Sequence, residues 1–209
     1  MHVQFRDIEK LELRDLEDIA KIVVSAQSGG NLNHATMMAE ELQKRVAMHE
    51  AGLGETRFLT TATIGKKSKP NAVPHGIMLT EIEFSGMFAK SAAQLDMIAP
   101  QLTTMMNRQT RMLGLQKPKA GVIKMLEIRG DVKESGKLRQ MFLTRAAQGF
   151  GRMGLKEMYA RIPDWAGEAE MVCKQLGADH LGAEPSRVDG RPINIFGWPD
   201  ARALGLGQT

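Results

Sequence analysis

Apolar residues recur along this chain with two periods, and the switches between them mark out its elements. Val3 to Phe5 reads as a short strand, and Leu11 to Leu13 extends it or leads into the next element. From Asp15 the apolar positions Leu16, Ile19, Ala20, Val23 and Val24 share one helical face, with acidic residues in the first turn where the helix dipole favours them. Gly29-Gly30 stops that helix. Asn33 caps a second one, in which Met38, Leu42 and Val46 stack one turn apart as far as Gly52. Arg57 to Ile64, rich in Thr and β-branched residues, predicts a strand. A polar turn from Lys66 to Asn71 leads into Val73 to Phe84, a second strand, so the pair predicts an antiparallel hairpin.

The pattern is least regular between 91 and 119. Ser91 with Gln94 forms a capping box, but Pro100 interrupts, which predicts two short helices or one kinked helix. Lys117-Pro118-Lys119 is expected to break the chain before a strand from Val122 to Ile128. Ser135 then caps a helix with Leu138, Met141, Phe142 and Ala146 on one face, closing on Gly149. The last quarter reads as a buried strand from Leu155 to Ile162 that stops at Pro163. A short helix capped by Asp164 follows. Its apolar face is Trp165, Ala169, Val172, Cys173 and Leu176, and Gly177 stands where a left-handed terminator is wanted. His180 to Trp198 closes the chain as an extended hairpin.

Composition changes this picture only by exclusion. A chain of 209 residues with 43% hydrophobic content can bury one substantial core, so a single domain over 1–209 is expected. One cysteine rules out an internal disulfide framework, and no apolar run approaches a membrane span. The first residues lack the apolar core of a signal peptide, so a cytoplasmic location is expected. Fifteen methionines fit adaptable core filling.

Charge is uneven. Residues 1–55 carry six Lys and Arg against ten Asp and Glu, whereas 106–161 carry thirteen against four. A basic stretch of this kind attracts an anionic cofactor, an acidic partner or nucleic acid. Nucleic acid is disfavoured, because the stretch holds only Phe142, Phe150 and Tyr159 as aromatics and shows no interleaved stacking pattern. The five histidines do not cluster at metal-ligand spacings, so no metal site is expected. The glycines of Gly149 to Gly154 imitate a dinucleotide fingerprint but follow a helix, the wrong context, and read as a helix exit.

The element order is strand, two helices, two strands, a helical segment, then strand, helix, strand, helix and a closing hairpin. It resembles the GNAT acyltransferase superfamily, and the resemblance implies a mixed α/β fold: a central mixed sheet flanked by helices, with a helical insertion around 91–119. In that family a middle strand leads through a glycine-containing loop into a helix, and acetyl-CoA's pyrophosphate binds the backbone N–H groups there. Exposed donors and the positive end of the helix dipole make such an anion site. The stretch here is Met125 to Leu138, which would place Val132, Lys133, Ser135, Gly136, Lys137 and Leu138 around the pyrophosphate. The family's loop reads Arg or Gln, two residues, Gly, one residue, then Gly or Ala. These positions fall on Asp131, Glu134 and Gly136, so only the last matches, and Lys133, Lys137 and Arg139 are the cations near enough to offset the two acids.

The resemblance also implies catalytic groups. A carboxylate on the middle strand often serves as base, and Glu127 holds that place, with Glu81 and Glu83 on the preceding strand as alternatives. The family's tyrosine, which protonates the leaving thiolate, falls on Cys173. A thiol there is either an acid or a small core hydrophobe. The implied activity is acyl-CoA-dependent transfer of an acetyl group to an amine by direct attack, with acetyl-CoA as donor substrate and an unspecified amine as acceptor. The alternative is a catalytically inactive GNAT-like protein with a structural or interaction role in a protein assembly, a phage virion component being one such setting.

Overall fold

In the computed structural model, which describes residues 1–8, 15, 17–19, 21–22, 57–65, 73–86, 116–186 and 190–206, seven strands form one sheet. They are β1 (Val3–Ile8), β2 (Arg57–Ile64), β3 (Gly76–Gly86), β4 (Gln116–Ile128), β5 (Glu157–Pro163), β6 (Asp179–Pro185) and β7 (Pro192–Trp198). The spatial order is β1-β2-β3-β4-β5-β7-β6. Neighbours run antiparallel except β4 and β5, which are parallel. A parallel pair needs a crossover, and the helix α1 (Ser135–Arg152) supplies it. Two further helices, α2 (Gly167–Gln175) and α3 (Arg202–Leu206), lie before β6 and after β7.

Two clusters of buried side chains lie on the sheet. Leu138, Phe142, Leu143, Ala146 and Phe150 of α1 pack with Met78, Ile123, Leu126, Ile128, Met158, Ala160 and Ile162, and the α2 residues Ala169, Val172 and Cys173 join the same cluster. A second cluster holds Ile8, Leu59, Ile77, Leu79 and Met125 with Ile19 and Ile22. The latter two belong to the helix expected from Asp15, of which Asp15, Glu17 to Ile19, Lys21 and Ile22 are described and helical.

A register shift in β4 decides which way its end points. Leu79 pairs with Met125 but Thr80 pairs with Ile123, so Lys124 is an extra residue, a β-bulge. Before it, Gly121 and Ile123 face α1; after it, Leu126 and Ile128 do. Strand alternation therefore turns Glu127 to the same side as Met125, away from the α1 core. Gly121 has its own reason to be glycine. A Cβ there would come within 2.2 Å of the Phe150 ring.

Several expectations need correction. Lys117-Pro118-Lys119 does not break the chain, because β4 begins at Gln116 and runs through it. Proline is tolerated there because the β5 ladder starts only at Ala120 and a register shift lies at Glu83/Phe84. The insertion expected around 91–119 is therefore strand from 116, and 91–115 lies outside the described residues, as do the second helix from Asn33 and the turn at 66–71. β3 starts at Gly76 rather than Val73. Asp164 does not cap α2. The β5 ladder with β7 holds the chain extended through Pro163, a turn follows (Ala166 N–H to Pro163 O, 2.9 Å), and the helix begins at Gly167. Trp165 accordingly leaves the buried face and stacks under Arg191, 5.5 Å from its guanidinium. Helix α1 continues past Gly149 to Arg152, since Phe150 is needed against Gly121. Gly177 does adopt the left-handed conformation expected of it (φ 76°).

Candidate active site

Open α/β sheets bind ligands in the crevice beyond the carboxyl ends of parallel strands, where successive connections part. Here that place is the gap between β4 and β5. The two strands pair only from Ala120–Glu157 to Ile123–Ala160. Beyond that, β4 stays with β3 up to Ile128, while Arg161 to Pro163 pair with β7. The result is a wedge whose walls are the end of β4 and the end of β5, and whose flanks are the starts of α1 and α2.

Glu127 stands on the β4 wall. Burial pushes its carboxyl up to about 7, with the Arg139 guanidinium pulling weakly the other way. A carboxyl that titrates near neutrality is suited to proton transfer. The alternative Glu81 forms an ion pair with Lys124 (3.7 Å), and Glu83 is exposed farther down β3.

The loop after β4 is held by its own charges. The Arg129 guanidinium donates from Nε and Nη2 to the two Asp131 carboxylate oxygens at 2.6 and 2.7 Å. That fork draws Asp131 below the usual carboxylate range. Arg129 N–H also donates to His75 O (2.9 Å), which brings His75 to the loop although the sequence shows it isolated. Burial first, and then the Arg129 charge, lowers the His75 imidazole, whose Nδ1 accepts from Ile64 N–H at 3.2 Å.

Helix α1 starts without a side-chain cap and with no acid in its first turn. Its first bond of the α type runs from Leu138 N–H to Glu134 O (3.1 Å). The N–H groups of Ser135, Gly136 and Lys137 therefore have no carbonyl one turn back to satisfy them. Leu138 is different. Its side chain is wholly buried and its N–H is already spent in the helix. Val132 packs partly into the core, while Lys133 and Lys137 are exposed beside the helix start.

Ser135 is not a cap. Its hydroxyl donates to the carboxylate of Glu168 on α2 (2.7 and 2.8 Å). The same carboxylate lies 3.5 Å from Arg139 Nε, and a Cβ on Gly136 would touch it at 3.3 Å. Serine, arginine and glutamate thus bridge the two helices across the mouth of the wedge. Periodicity gave no hint of Glu168, which reads as an ordinary first-turn acid of α2 favoured by the dipole.

Cys173 is wholly buried among Ala169, Val172 and the α1 residues. Burial, helped by the nearby Glu170 carboxylate, pushes its thiol up to about 12. Its side chain packs in the core cluster shared by α1 and α2. Among the described residues no group of three His, Cys, Asp or Glu is arranged to hold a metal ion, and no helix is long and apolar enough to cross a membrane.

Comparison with solved structures identifies the fold. A member of the GNAT family from Desulfovibrio desulfuricans superposes with a TM-score of 0.59 at 12% identity, covering 96% of this chain and 99% of that one. The ribosomal-protein-S18-alanine N-acetyltransferase of Escherichia coli gives 0.56 at 11% identity over 95% and 94%. A phosphinothricin acetyltransferase of Sinorhizobium meliloti, in complex with acetyl-CoA, gives 0.55 at 12% identity over 96% and 89%. No protein-family model matches the sequence, and no curated protein matches it. The chain has the GNAT fold, reached by a sequence far from those of these structures.

Proposed function

We propose that this protein is an acyl-CoA-dependent N-acyltransferase in which an amine attacks the thioester carbonyl directly, with Glu127 as general base. One observation carries the reading above all: a carboxyl that titrates at about 7 stands on the wall of the open β4–β5 wedge. Among the solved structures of this fold, the Escherichia coli protein is a ribosomal-protein-S18-alanine N-acetyltransferase and the Sinorhizobium meliloti acetyltransferase holds acetyl-CoA. The thioester's pyrophosphate would meet the free N–H groups of Ser135, Gly136 and Lys137, with Lys133 and Lys137 supplying positive charge.

In this mechanism Glu127 takes a proton from the attacking ammonium or from the tetrahedral adduct. The new C–N bond forms, the C–S bond breaks, and the thiolate leaves. The protonated Glu127, titrating near 7, can return its proton to a thiolate whose ordinary value is about 8.5. Cys173 has no such role, because a thiol held at about 12 would give up a proton uphill.

The test is release of free thiol from acetyl-CoA in the presence of a panel of primary amines. The rate is expected to rise with pH through about 7, as Glu127 ionises, and Glu127→Gln is expected to cost about 10²- to 10⁴-fold in kcat. A rate indifferent to that substitution would remove Glu127 from the mechanism.

A second reading, a GNAT-like protein with a structural or interaction role, is favoured by one feature: the Ser135–Glu168–Arg139 bridge and the Arg129–Asp131 fork already engage the groups at the wedge mouth. Absence of thiol release with every amine, together with no acetyl-CoA binding, would favour it.

A further inference from the structure

Arg139 is the cation that the mechanism above leaves unused. Its side chain is 12% exposed. Its Nε and Nη1 are fully buried, and neither finds a hydrogen-bond acceptor among the described residues. Glu168 approaches to 3.5 Å of Nε, an ion-pair contact rather than a hydrogen bond, and its own side chain is 42% exposed. A guanidinium withdrawn from water with donors unmet is costly, and buried donors in folded proteins are almost always paired. The single long contact with Glu168 leaves this guanidinium able to take a further anion.

Its surroundings say where the missing anion would sit. Arg139 follows the start of α1 by one turn, and its charge is felt both by Glu127 on β4 and by Cys173 on α2. The guanidinium lies 3.5 Å from the Glu168 carboxylate, which is bonded to Ser135 at the start of α1, so it sits between the starts of α1 and α2, the two flanks of the wedge. Acetyl itself has nothing to offer such a group. A carboxylate does, because its two oxygens match the planar fork of an arginine.

We propose that Arg139 anchors a carboxylate carried by a substrate of this site, and so sets which substrate is chosen. The inference rests on the acyl-transfer reading. Two sources supply the same chemistry: a thioester of a dicarboxylic acid, such as succinyl-CoA, or an acceptor amino acid with a free α-carboxylate. Glu168 holds the guanidinium in the unliganded protein and is exposed enough to turn into water when the substrate arrives.

The experiment is titration calorimetry on the full chain, wild type and Arg139→Met, with thermal melting to confirm that the variant folds. Acetyl-CoA and succinyl-CoA are compared directly. Acetyl-CoA is then repeated in the presence of an amino acid or of its carboxamide. Tighter binding of succinyl-CoA than acetyl-CoA, by about tenfold to a hundredfold and abolished in Arg139→Met, supports the proposal with the carboxylate on the acyl group. An amino acid, but not its amide, that tightens acetyl-CoA binding only in the wild type supports it with the carboxylate on the acceptor. Should Arg139→Met not fold, Arg139→Lys keeps the charge without the fork and is expected to lose the same preference. Acetyl-CoA binding with no carboxylate preference, or a preference unchanged in the variants, overturns the role of Arg139 and leaves acyl transfer standing. If neither thioester binds, both fall.

Discussion

Glu127 concentrates the chemistry of the site in one side chain, and its protonation ties function to stability. Its folded value of about 7 lies above the ordinary carboxyl value of 4.5. Between those values the folded protein holds a proton that the unfolded chain has lost, so stability falls as pH rises through this window. The penalty is absent below the lower value and complete above the upper, where it amounts to about 3 kcal/mol. Glu127→Gln, which never ionises, is therefore expected to melt higher than wild type at pH 8 and to lose that advantage at pH 4. Melting curves of both proteins across that range check it, and an advantage that stays constant with pH would contradict it. Cys173 teaches the opposite lesson. Helical spacing gave a buried face and a family parallel gave an acid, and the wholly buried thiol sits with the first. Glu127 is legible in the sequence only through the family resemblance, which implies a carboxylate at that place on the middle strand. Its raised titration is not, because it depends on enclosure by elements distant in the chain.

At the scale of elements, sequence patterning succeeded where a segment's partners are local. Strand β2 and the closing hairpin follow alternation and turn residues, and α2 ends at Gly177 as its spacing requires. It failed where distant pairing overrides local preference. Pro118 reads as a breaker but lies in a strand paired on one side, and Asp164 reads as a cap but is held by the ladder with β7. The bulge at Lys124 left no mark in the sequence at all, although it determines which face carries Glu127. Gly121 tests the packing behind that arrangement. Gly121→Ala would drive its Cβ into the Phe150 ring, and relief requires α1 to move away from β4. The expected loss is about 1–3 kcal/mol of unfolding free energy by denaturant titration. A variant as stable as wild type would show that α1 is not seated on β4 as described.

For the molecule as a whole, the basic stretch at 106–161 changes meaning once the chain is folded. Arg145 pairs with Asp7 at 2.6 Å, Lys124 with Glu81, Arg139 with Glu168 and Arg161 with Glu184, so acids from elsewhere in the chain meet its cations. A linear charge count hides this, because it sees only sequence neighbours. Where such pairs are exposed they add little stability, but together they leave less of a continuous basic face for nucleic acid. The element order, by contrast, indicates the fold correctly at 12% identity. The superposition on solved structures only 11–12% identical covers 95–96% of this chain. Whether the wedge between β4 and β5 takes an acyl-CoA thioester is decided by calorimetric titration of the full chain with acetyl-CoA. Saturable binding of one equivalent, weakened when Gly136→Glu places a carboxylate at the start of α1, is the predicted result. No heat of binding at millimolar acetyl-CoA would contradict it.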